Sequence, residues 1–308
     1  MRASFITLGL IFGVWAVAAT AQAPQPVAGE IVVVGNREEQ AEIAANQAKA
    51  ITLELSGDMP MPRRYAPICV KLFGIDPNFG EVIAEQIARN VGALGLPVGG
   101  KNCSPNVWIG FVGDSKAAVA RLRKQEPAMF AGMKSFEIDR VFAGSGAVQV
   151  WSNTEQRSAD GRPLAEMELD VPGPFSSARK IRVKVNQQYQ GGRLVSPVRT
   201  DINGTIVIFD AARANGKTVQ QLADYATFRI LAPVQDYAEL PERSVPTILT
   251  LFTPGADSPG GLTEFDWAYL SAYYKLDRGA KASAVHDATR QAVLDGTGQK
   301  LREATGSQ

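Results

Sequence analysis

Residues able to do polar chemistry are unevenly supplied in this chain. There is one histidine, His286, and it lies in a polar stretch near the C-terminus. Imidazole is the usual general base and a common metal ligand. A Ser-His-Asp triad would have to recruit this tail residue, and no site with two histidine ligands can form within one chain. The two cysteines, Cys69 and Cys103, cannot build a four-cysteine zinc site. No metal and no cofactor is therefore expected. Carboxylates are the plentiful type, with Asp160, Glu166, Glu168, Asp170, Asp236, Glu239, Glu264 and Asp266 as examples. Two acids at a suitable separation suffice for glycoside hydrolysis. The aromatic set Trp267, Tyr269, Tyr273 and Tyr274 either lines a sugar or peptide groove or packs as core and boundary.

Ala211–Thr218 reads AARANGKT. It meets a relaxed phosphate-loop pattern and lies between an expected strand and an expected helix. Ala211 stands where a glycine normally allows close backbone approach, and Asp210 brings a negative charge to the same place. The competing reading is an exposed turn, bent at Asn215-Gly216, with Thr218 capping the next helix.

Composition bounds the rest. Formal charge is +1 for the full chain, which gives no support to a broad nucleic-acid or anionic-membrane surface. Met1–Arg2 are followed by the apolar run Phe5–Ala19 and a small-x-small site at Ala19–Ala21, the pattern of an export signal. Cleavage after Ala21 is expected, with an uncleaved anchor as the alternative. No later segment is long and apolar enough to span a membrane. Export makes a Cys69–Cys103 disulfide the expected state, against two buried free thiols.

The elements that must position these groups follow from periodicity and caps. Tyr65–Phe73, Val107–Val112, Ala147–Trp151, Ile181–Val185 and Thr205–Phe209 read as strands, the last of them central. Asp76-Pro77 starts a helix, with Phe79, Val82, Ile83, Ile87 and Leu94 on one face and an end near Gly95. Asp114 caps the next helix, and Met129–Phe142 is a further short one. Thr154–Gly161 is polar and turn-rich. Thr218–Gln221 fits a capping box opening a helix that Pro233 stops. Thr263 caps a last strong helix. Four parts are expected: a signal peptide at 1–21, a flexible arm at 22–62, one α+β domain at 63–277, and a polar, partly helical tail at 278–308 whose end is disordered.

Two stretches resemble known families. Leu262–Tyr274 reads LTEFDWAYLSAYY, and it follows a strand, the helix QLADYATFRILA and the segment PTILTLF. This order resembles the catalytic end of zincin metallopeptidases of the matrixin kind. The resemblance implies an α+β fold, a mixed sheet with packed helices, over about residues 63–277. It also places Ala223 and Thr227 where two zinc-binding histidines would stand, and Asp224 where a general-base glutamate would. Neither Ala nor Thr serves as a zinc ligand of that kind, so a shared fold implies a dead peptidase. The second stretch is Glu30–Asn36, EIVVVGN, read as a strand with a turn. It resembles the Ton box near the mature N-terminus of TonB-dependent outer-membrane receptors. That resemblance implies a strand donated to an envelope protein partner through residues 30–36; the alternative is a strand on this protein's own sheet edge. The chain as a whole is similar to uncharacterised exported proteins of Gram-negative bacteria.

These readings converge on an exported, periplasmic or secreted, non-catalytic binding protein for a peptide, a protein partner or a glycan. Its groove is expected along residues 218–231 and 263–275, with Asp224, Thr227, Arg229 and Asp266 as groove residues. The alternative is a carboxylate-dependent hydrolase acting on a glycan or an ester.

Overall fold

The computed structural model describes residues 29–53, 59–131, 133, 135–143, 146–172, 179–186, 196–235 and 240–306. The signal peptide expected at 1–21 lies outside the described residues, as do Asp236 and Glu239.

Helix α1 (Gly29–Ile51) opens the described chain, followed by the short strand β1 (Pro62–Arg63) and by β2 (Val70–Phe73). Helix α2 (Pro77–Ala93) starts where Asp76 Oδ1 accepts the Asn78 N–H at 2.9 Å and Pro77 fixes the first turn. Strand β3 (Val107–Val112) leads to α3 (Ser115–Gln125), capped by Asp114. A 3-10 turn at Pro127–Phe130 and helix α4 (Ser135–Ala143) follow. Strand β4 (Val148–Ser158) comes next, then the hairpin β5 (Ala165–Val171) and β6 (Arg179–Val185). The long strand β7 (Val198–Asp210) runs into α5 (Ala211–Ala214) and α6 (Val219–Leu231). A second 3-10 turn at Ile248–Phe252 precedes α7 (Glu264–Lys275), α8 (Ser283–Leu294) and α9 (Thr297–Thr305).

The protein is therefore α+β, with a mixed main sheet and a separate two-stranded β5–β6 sheet. Strand β7 is central: β3 and β1 pair with it in parallel on one side, and β4 pairs antiparallel along its other side. Strand β2 pairs in parallel with β3. The TIVIF run of β7 is buried on both faces, as a central strand covered on both sides requires. Its alternation splits the core in two. Val207 and Phe209 face the α2, α6 and α7 layer. Ile206 and Ile208 face Trp151 and the smaller layer of α3, α4 and the Pro127–Phe130 turn.

The structure differs from the sequence reading at four places. The strand expected at Glu30–Asn36 is not formed, because the backbone there belongs to α1. From Arg37 onwards the sequence is rich in Glu, Gln and Ala, and extending a helix costs far less than nucleating one, so the Val32–Val34 backbone joins it. A partner pairing with residues 30–36 as a strand would have to unwind these turns. Residues within the expected arm and tail are also core. Ala41, Ala44, Ala48 and Ile51 of α1 are buried together with Val285, Ala292 and Val293 of α8, and Thr297–Thr305, expected to be disordered, is α9. Phe79 and Val82 of α2, expected on one face with Ile83 and Ile87, are exposed at 54% and 48%, while the polar Gln86 and Asn90 are buried beside Ile83 and Ile87. Finally, β4 continues through the polar stretch Thr154–Ser158, where Arg157 pairs with Glu155 at 2.8 Å and approaches Asp201 of β7 at 3.7 Å. The turn is confined to Ala159–Gly161, where Gly161 adopts φ +92°.

Candidate functional site

Helix α6 is held at both ends. At its start Thr218 Oγ1 accepts the Gln221 N–H, and Gln221 Oε1 accepts the Thr218 N–H, the capping box expected from the sequence. At its end Tyr274 of α7 donates its hydroxyl to the Leu231 carbonyl at 2.8 Å. Between these points the helix shows two different polar sides.

One side faces α2. Asn90 Nδ2 donates to Asp224 Oδ1 at 2.6 Å and to Thr227 Oγ1 at 3.1 Å, and Gln86 Nε2 reaches the same carboxylate oxygen at 3.3 Å. The Leu262 N–H donates to Asp224 Oδ2 at 3.0 Å. A Cβ at Gly261 would lie 2.4 Å from that oxygen, so only glycine fits the approach. Asp224, Thr227 and Asn90 are all 0% exposed. Burial raises the Asp224 carboxyl above its ordinary value, and the donated hydrogen bonds from Asn90, Leu262 and Gln86 oppose that rise.

Asp266 is sealed in the same way. It is the third residue of α7 and completes a capping box with Thr263. Its carboxylate also accepts the Thr247 hydroxyl at 2.6 Å and the Ile248 N–H at 2.8 Å. One side chain thus ties the start of α7 to the start of the Ile248–Phe252 turn. Burial outweighs these bonds and pushes its pKa up to about 6.

Asp224, Thr227 and Asp266 were expected to line an open groove. The structure places all three in the packed interior, where their polar atoms are spent on neighbouring backbone and side chains. Ala223 is likewise 0% exposed. The sequence pattern placed polar residues on a helix face but left open what that face meets, and here it meets Gln86 and Asn90.

Arg229 does line an opening. A cavity of about 270 Å³ lies beside the other side of α6. Its walls are residues 146–150 at the entry to β4, Tyr225 and Arg229 of α6, Leu249 and Phe252 of the 3-10 turn, and Val234. Tyr225 is fixed by packing: its ring meets Phe252 edge-on at 5.2 Å and lies 6.2 Å from Phe209. Arg229 Nη1 donates to the Tyr225 hydroxyl at 3.1 Å. Sequence reasoning missed Tyr225. The available signal was its i,i+4 spacing from Arg229, a pair that falls on one helix face two residues out of step with Ala223 and Thr227.

The β4 wall contributes backbone as well as side chains. The Asp210 N–H donates to the Ala147 carbonyl at 2.8 Å, so residues 147, 149 and 151 turn their peptide groups towards β7. By alternation the N–H and C=O groups of Val148 and Val150 point to the outer edge of β4. No strand pairs with that edge along residues 148–156 among the described residues.

The other sequence candidates resolve simply. In AARANGKT, Asp210 Oδ1 accepts the Ala212 and Arg213 N–H groups, the amides an anion would need. Gly216 makes the turn with φ +80°, and Thr218 caps α6. Cys69 and Cys103 form a disulfide with Cα atoms 5.9 Å apart, joining the start of β2 to the loop before β3. His286 is half-buried on α8, with Nε2 3.3 Å from Asp287 Oδ1. Glu168 pairs with Lys180 and Arg182 across the β5–β6 hairpin. Trp267, Tyr269 and Tyr273 are core residues. Among the described residues, no group of three or more His, Cys, Asp or Glu is placed to hold a metal ion. No described helix is long and apolar enough to cross a membrane.

Comparison with known protein families, with curated proteins and with solved structures finds no match to this chain.

Proposed function

We propose that this is an exported, non-catalytic binding protein that takes an extended peptide along the outer edge of β4. The observation that carries the reading is the coincidence of an unpaired strand edge with a cavity directly beside it. Edge strands are templates for a further strand, and pockets next to them select side chains. Here the Val148 and Val150 peptide groups supply the template. Tyr225, Arg229, Leu249 and Phe252 supply a pocket with an apolar body and one cation. The disulfide fits an oxidising compartment.

An inactive zincin-like ancestry is part of the proposal. What supports it is the order strand, helix, turn, helix, met by β7, α6, the Ile248–Phe252 turn and α7. Asp224 and Asp266, the two carboxylates expected to line a groove along α6 and α7, are buried out of reach of any substrate, which favours binding over hydrolysis.

Short random peptides displayed on phage provide the test. Selected peptides should bind the wild-type chain and lose at least about tenfold in affinity to Val150→Pro, which removes one outward N–H. Proline is tolerated where the strand faces no partner, and the lost packing of the Val150 side chain on the core should lower the melting temperature by a few degrees only, with circular dichroism showing the variant folded at the binding temperature. Selected peptides that bind Val150→Pro undiminished would refute strand addition at β4.

A further inference from the structure

A second, larger cavity shares no lining residue with the first. It measures about 800 Å³ and lies between α1, the loop before α7, the first turn of α7, and α8 with α9. That is within the range of small-molecule sites, roughly 300–1,000 Å³. Its floor is apolar and buried, formed by Ala44, Leu262, Phe265 and Val293. The one hydroxyl there, Thr263 Oγ1, is already bonded to the Pro246 carbonyl and within the α7 capping box. The floor therefore offers hydrocarbon contact and no unused polar group from Thr263.

The rim differs. Arg37 and Arg302 line the cavity, and neither has an acidic partner among the described residues. Of the α1 acids close in sequence to Arg37, Glu39 pairs with Arg243 and Glu42 with Arg290, while Glu38 is exposed and lies outside the cavity lining. Among the described residues, Glu264 is the one acid in the lining, against these two cations. The rim is also held in place. Gly298 of α9 approaches the Glu264 carbonyl so closely that a Cβ would sit 2.1 Å from its oxygen, which docks α9 on the first turn of α7. Arg37 Nη2 lies 2.9 Å from the point a Cβ on Gly296 would occupy, so the guanidinium stands over the entry to α9.

We propose that this cavity binds an anionic amphiphile, a carboxylate paired with Arg37 and Arg302 whose acyl chain lies on the Ala44, Leu262, Phe265 and Val293 floor. Guanidinium groups pair with carboxylates in a fork geometry, and an acyl chain needs only apolar contact. The site is independent of peptide binding at β4.

Titration calorimetry of the full chain with dodecanoate, decanoate and dodecanol tests it. Dodecanoate should bind saturably, with one molecule per chain, and decanoate should bind on the order of tenfold more weakly for the two lost methylenes. Dodecanol and the double variant Arg37→Gln/Arg302→Gln should each cost about tenfold. Both arginines are at the surface, so circular dichroism should show the double variant folded as wild type. Val293→Phe narrows the floor and should abolish dodecanoate binding while leaving the β4 peptides bound. Equal affinity for dodecanol and dodecanoate, undiminished binding by the double variant, or no saturable dodecanoate binding would each overturn the proposal.

Discussion

The two sides of α6 carry similar residue types and do opposite things. Towards α2, Asp224 and Thr227 meet Gln86 and Asn90, and every charge or hydroxyl is answered at hydrogen-bond distance. Towards β4, Tyr225 and Arg229 are bonded to each other but border empty space. A polar residue on a helix face is thus no guide to a site until its neighbour is known. The first side is a joint, which fixes the angle between α2 and α6 and, through Leu262, the approach of α7. The second is a surface on which something else can lie.

Removing the joints should have the largest effects. Asp266→Ala leaves the Thr247 hydroxyl and the Ile248 and Thr263 N–H groups without their acceptor. Unpaired buried donors cost about 1–3 kcal/mol each, so chemical denaturation should show a loss of about 4 kcal/mol. Acidity gives the next effect. Burial raises the Asp266 pKa to about 6, from 3.8. A raised pKa means the folded state holds the proton more tightly, so this contribution is complete below about pH 4 and fades as pH rises to about 6. It amounts to about 3 kcal/mol, and Asp224 is shifted in the same direction. Melting temperature should therefore fall between pH 4 and pH 6 for this contribution, and Asp266→Asn should flatten that fall.

Asp224→Asn is smaller. The amide keeps one acceptor oxygen, so its NH2 must face either Asn90 and Gln86 or the Leu262 N–H, all donors already. Denaturation should show a loss of about 2 kcal/mol, with affinity for β4-edge peptides unchanged. Smallest in stability is Tyr225→Phe, which removes only the bond from Arg229. It should change unfolding free energy by less than about 1 kcal/mol, yet lower peptide affinity about threefold by removing the hydroxyl that orients Arg229 Nη1. If Asp224→Asn weakened peptide binding more than Tyr225→Phe, the contrast between the two sides would be reversed.

What the sequence makes legible here is what local chemistry decides. Asp76, Asp114, Thr218 and Thr263 announce their helices because a cap acts within three residues. VWIGFV and TIVIF announce buried strands by continuous apolar runs. Long-range pairing decides the rest. Gln86 and Asn90 look like a solvated helix face, and only contact with Asp224 explains their burial. Val32–Val34 favour a strand locally, but the helix formers after Arg37 recruit their backbone. The polar end of β4 looks like a turn until the side chains of β7 answer it. The cavity was illegible for the same reason: Tyr225 and Arg229 gain meaning from residues 146–150, far away in the chain.

The central claim is that ligand joins the outer edge of β4 and leaves the α2–α6 joint untouched. Residue-resolved hydrogen exchange, with and without a display-selected peptide, tests it most directly. The account predicts that the Val148 and Val150 amides slow on binding while Gln149, already turned towards β7, does not change. Protection at the Asp224–Asn90 joint, with Val148 and Val150 unaltered, would contradict it.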